Sequence, residues 1–98
     1  MAEFLILMHA DTQEIVSDSS WDEYIAKLVS MGAMRGGSAL SGGKSYRNSG
    51  PPASITEHIV GYLKIEAETI EQAGSMLAGN PVFEAGGTVE IRELPKTS

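Results

Sequence analysis

Two helix-period stripes set among four strand-period runs predict an α+β fold of order βαββαβ, a four-stranded antiparallel sheet with both helices on one face. Three observations carry this prediction. Phe4 to Met8 is an unbroken apolar run of strand length. Ser20-Trp21-Asp22-Glu23 and Thr69-Ile70-Glu71-Gln72 are both capping boxes, an N-cap hydroxyl with Glu or Gln three residues on. Between the helices, Glu57–Glu66 places Ile59, Gly61, Leu63 and Ile65 on one face and Val60 and Tyr62 on the other.

The elements follow in order. The first strand ends at His9, and Asp11, Thr12 and Gln13 turn the chain. Trp21, Tyr24, Ile25 and Leu28 recur at i, i+3, i+4 and i+7, so a helix runs from Trp21 to Met31 behind the Ser20 cap, and Gly32 stops it. Met34–Leu40 and Lys44–Asn48 read as a hairpin about Ser41-Gly42-Gly43, an extension of the sheet. Pro51 and Pro52 remove two backbone donors, which makes Ser49–Ile55 a loop. Behind the Thr69 cap, Ile70, Ala73, Met76 and Leu77 form the second stripe, closed by Gly79 and Pro81. Gly74 inside it suggests close packing. Asn80–Gly87 connects to Thr88–Leu94, where Val89 and Ile91 point inward and Glu90 and Arg92 outward. Pro95 ends the strand and Lys96–Ser98 is a tail. Two split βαβ halves of this kind make a ferredoxin-like sheet. The long strand is apolar on both faces and 98 residues hold no second cover for it, so a homodimer closing sheet to sheet is expected.

Composition narrows the function. No linker, repeat or low-complexity tract divides residues 1–98, so one domain is expected. With net charge −6, pI near 4.7 and only seven scattered Lys and Arg, nucleic-acid binding is not expected. No apolar run reaches membrane-spanning or signal-peptide length, which makes a cytoplasmic protein the expectation and a membrane partner not. The absence of cysteine removes disulfides, thiol catalysis and thiolate metal ligands. Two distant histidines make no zinc site, and no cofactor motif is present: Gly42-Gly43-Lys44-Ser45 lacks the upstream glycine spacing of a phosphate loop and precedes no helix.

A few residues carry candidate chemistry. His9 and Asp11 share a face if their strand continues, which would let the carboxylate orient an imidazole base; the competing reading is a histidine bonded to a turn that Asp11 caps. Arg35, beside Gly36-Gly37, suits a bidentate clamp on a small anionic organic ligand, or a surface ion pair. Trp21 and Tyr24 read as core or as pocket lining, Tyr62 as interface, and His58 as a polar edge or interface residue.

Three segments, in this order and spacing, resemble the YCII-related family and its DGPF-domain subgroup. Ser49-Gly50-Pro51-Pro52-Ala53 stands where the family has its Asp-Gly-Pro-Phe turn, followed by the glycine-aromatic strand Gly61-Tyr62-Leu63-Lys64-Ile65-Glu66. Ala78-Gly79-Asn80-Pro81 and Gly86-Gly87-Thr88-Val89-Glu90-Ile91-Arg92 resemble the end of the second helix and the last strand, and Met8-His9-Ala10-Asp11 the end of the first. The resemblance spans nearly the whole chain and implies a ferredoxin-like subunit that dimerises as in dimeric α+β barrels. YCII-type members have a His and an Asp, proposed as a catalytic pair, at the positions of Tyr24 and Asn80, and neither replacement shuttles protons near neutral pH. The function expected is a small-molecule-binding homodimer with an unassigned activity, its pocket between sheet, first helix and partner subunit. His9, Asp11, Tyr24, Arg35 and Asn80 would supply the polar groups. The alternative is a non-catalytic interaction or regulatory module linked to transcription initiation.

Overall fold

A computed structural model of the chain describes residues 1–96; the last two residues of the expected tail lie outside it. Strand β1 (Ala2–His9) leads into helix α1 (Asp18–Ser30), then β2 (Met34–Ala39) and β3 (Ile59–Ala67). Two short helices, α2 (Ile70–Ser75) and α3 (Pro81–Glu84), precede β4 (Val89–Leu94). The strands form one antiparallel sheet of order β2-β3-β1-β4, consistent with the ferredoxin-like fold.

Period-2 alternation decides which side of the sheet is covered. Phe4, Ile6 and Met8 of β1 and Leu63, Ile65 and Ala67 of β3 are buried against Tyr24 and Leu28 of α1, Ala73 of α2 and Val82 of α3. On the opposite face Leu5 and Leu7 lie beside Lys64 and Tyr62 of β3 and Arg92 and Glu90 of β4, with no helix of the described residues over them. A bulge between Met8 and His9 sets Ile59 opposite His9, so Ile59 leaves the helix-side row expected for it and joins the uncovered face. A second bulge isolates Arg35 between Met34 and Gly36, whose φ of 150° favours glycine.

Local chemistry moved several boundaries. Helix α1 starts earlier than expected because Ser17, not Ser20, is the N-cap: its Oγ accepts from the Ser20 amide, and Asp18 suits the positive end of the dipole. Thr69 caps α2 as expected, accepting from Gln72 N, and Gln72 Oε1 accepts from Glu68 N in return. The connection after α2 contains α3, which the sequence reading missed. Asn80 Oδ1 accepts from Phe83 N, and Pro81 follows it at the first helical position, where a missing N–H costs nothing. Gly74 has open space where its Cβ would be, so no close packing requires it.

The hairpin extension is corrected. Lys44–Asn48 forms no strand, and residues 40–58 contain neither helix nor strand. Lys44–Asn48 offers the sheet a single large apolar residue, Tyr46, which is 86% exposed, so nothing drives it onto the β2 edge. Strand β2 pairs with β3 alone, and closely: a Cβ on Gly37 would lie 2.6 Å from Leu63 Cδ2. Among the described residues no helix is long and apolar enough to cross a membrane.

Candidate functional site

Helix α1 covers the centre of the sheet and leaves a groove toward β2. Trp21 and Ile25 of α1 wall it on one side, Met8, Met34 and Leu63 of the strands form its floor, and Val82 of α3 closes one end, around a cavity of about 480 Å³. Among the described residues no charged side chain lines it. Gly61 keeps the floor low, since a Cβ there would meet Met8 Cε at 3.2 Å and Ser38 O at 3.3 Å. A second cavity, of about 390 Å³, lies between α1 and α3 and is polar, with Glu14, Glu23 and Glu84 set against Lys27. The Lys27 ammonium is engaged by the carbonyl of Ala78.

The five residues singled out from the sequence occupy three places. Tyr24 and Asn80 come together in the core. The Tyr24 hydroxyl donates to Met76 O at 2.9 Å, and burial pushes its pKa up, an effect partly countered by the Asn80 side chain. Asn80 is fully buried; its Oδ1 caps α3 while its Nδ2 makes no hydrogen bond of normal geometry. Tyr24 borders the polar cavity and neither residue lines the apolar groove.

Arg35 stands elsewhere. Its Nη1 donates to Gly32 O and Met34 O and its Nη2 to Glu66 Oε1 at 3.0 Å, which engages both terminal nitrogens. Arg35 lies beside Ile65, while His9 pairs with Ile59. These are opposite ends of β3, about 20 Å apart along a strand, so the two do not share a site within one chain.

His9 and Asp11 are near neighbours with separate tasks. Both Asp11 carboxylate oxygens hold Thr88: Oδ1 accepts from its amide at 2.7 Å and Oδ2 from its hydroxyl at 2.6 Å. These bonds hold the Asp11 pKa below the ordinary carboxylate value, with a smaller contribution from His9. The carboxylate at His9 is instead Glu90, whose Oε1 lies 2.8 Å from His9 Nε2. The His58 ring packs edge-on against His9, centroids 5.1 Å apart at 66°. Glu90 was expected to point outward from β4, and it does; outward is the uncovered face, onto which His9 also projects. What joined them is the adjacency of β1 and β4, which strand-by-strand reading leaves out.

Among the described residues no group of three or more His, Cys, Asp or Glu is arranged to hold a metal ion. No family model matches the chain, and no curated protein matches it as a relative.

Proposed function

We propose that this chain is a YCII-related protein of the DGPF-domain subgroup, a homodimer that binds a small organic molecule in the groove between α1 and the β2–β3 half of the sheet. The observation that carries the reading is the groove itself: about 480 Å³, apolar-walled and inside the range of small-ligand sites. The uncovered sheet face, with Leu5, Leu7 and Tyr62 half-buried at its centre, supports the dimer, because such a face gains by meeting a second one. The apolar walls suit the body of a ligand. An anionic group on it would sit at the rim.

Trp21 is the chain's single tryptophan and lines the groove, so its fluorescence reports occupancy directly. Titration with a panel of small apolar acids, esters and aromatics is expected to change Trp21 emission and raise Tm. A ligand at a hundredfold its Kd stabilises by about 2.7 kcal/mol, several degrees in a domain of this size. Ala39→Phe, which places a ring at the groove's edge on β2, is expected to abolish both responses while leaving the fold intact. If no compound moves either signal and the chain instead forms a stable complex with another protein, the interaction-module reading replaces this one.

A further inference from the structure

The groove leaves His9, Glu90 and His58 unused, and they lie on the other side of the sheet. His9 projects onto the uncovered face from the end of β1, with its side chain 18% exposed, and Glu90 on the neighbouring strand is 39% exposed. Their contact at 2.8 Å is of charge-assisted length. A carboxylate in contact with Nε2 favours the tautomer that carries its proton there, which leaves Nδ1 with a free lone pair. The His58 ring is set edge-on against the imidazole, and the His9 amide is tied to Thr88 O at 3.0 Å, so ring and backbone are both positioned. Asp11, the other nearby carboxylate, is held by Thr88 through both oxygens.

We propose that His9 and Glu90 form a general-base dyad on the uncovered sheet face, with Glu90 as the residue that positions His9. The substrate class this dyad serves is a small molecule with an acidic O–H or C–H. His9 Nδ1 takes that proton, the Glu90 carboxylate stabilises the imidazolium that forms, and the proton returns from Nδ1 to another atom of the same molecule. The net change is a proton shift, which needs no oxidant, reductant or second substrate.

The test reads the tautomer and does not depend on finding the substrate. Long-range ¹H–¹⁵N NMR of the full chain, read across a pH series, is expected to show that the neutral His9 ring carries its proton on Nε2. In Glu90→Gln the spectrum is expected to shift to mixed tautomers, and carbethoxylation of His9 by diethylpyrocarbonate, mapped by mass spectrometry, to slow severalfold. His58→Ala is expected to leave the Nε2–H tautomer in place. Circular dichroism of each variant establishes that it is folded. A neutral His9 ring with its proton on Nδ1 would leave no lone pair there to act as a base and would overturn the proposal. So would a tautomer and a carbethoxylation rate that Glu90→Gln leaves unchanged.

Discussion

Asp11 fastens the turn after β1 to the start of β4 through both carboxylate oxygens, and that decides how this part of the chain responds to acid. Its folded-state pKa lies below the ordinary value of 3.8, mainly because Thr88 bonds the charged form. On acidification the unfolded chain therefore takes up the proton first. The clamp's contribution is complete above the ordinary carboxylate range and is lost as pH falls through the lowered folded value. Asp11→Asn is expected to lower Tm at neutral pH, with the difference from the parent narrowing as pH falls below about 4. Thermal unfolding across a pH series checks this, and a difference that stays constant would count against it. The sequence offered Asp11 either as a turn cap or as an orienter of His9, and the structure shows the turn. Glu90 holds His9 instead, from a residue 81 positions away in the chain. Tyr24 and Asn80 were legible as a pair only through a family pattern. Their meeting in the core follows from α1 packing against the α2–α3 junction.

At the scale of elements, hydrophobic period was more dependable than capping signature. The stripe of α1 was read correctly, yet its N-cap moved from Ser20 to Ser17 because three serines and Asp18 precede the stripe and any of the serine hydroxyls can serve. In α2 and the turn that follows it, Ala73, Met76 and Leu77 are buried as expected, while Ile70 in the first turn stays 47% exposed. Gly74 is the next-to-last residue of α2, with open space beside it and no positive φ. Gly74→Ala is thus expected to stabilise the protein by roughly 0.5–1 kcal/mol, since alanine restricts the unfolded chain and here meets no neighbour. Chemical denaturation with an unchanged m-value would bear this out; destabilisation would mean that the helix needs glycine for another reason. The hairpin failed for a physical cause: a Gly-Gly turn can join two strands, but Lys44–Asn48 carries too little apolar surface to hold the second one in place.

At the scale of the molecule, the chain is a slab 18 Å thick and 46 × 41 Å across, with a radius of gyration of 14.9 Å. A compact domain of this length would measure about 13 Å. The excess comes with a single helical layer on one side of the sheet and a long exposed segment over residues 40–58. A second copy on the open face would thicken the slab and bury Leu5, Leu7 and Tyr62. Light scattering on an eluting peak is expected to give about twice the 10.4 kDa chain mass. Leu7→Lys, at the centre of that face, is expected to yield a folded monomer. A clean 10.4 kDa species for the parent chain at micromolar concentration would remove the dimer from the proposal.

The sequence by itself determined the α+β class, the order of the four sheet strands and the major helices, and the apolar rows that face the helices apart from Ile59. Each of these is a local periodicity of side chains along the backbone, and burial of apolar surface enforces it. Only the tertiary structure decided which polar groups meet. It set Glu90 rather than Asp11 against His9, drew Arg35 into an ion pair with Glu66 at the far end of the sheet, and opened the groove beneath Trp21. Those contacts depend on strand adjacency, on two bulges and on where a helix stops covering a sheet, all of them set by distant parts of the chain.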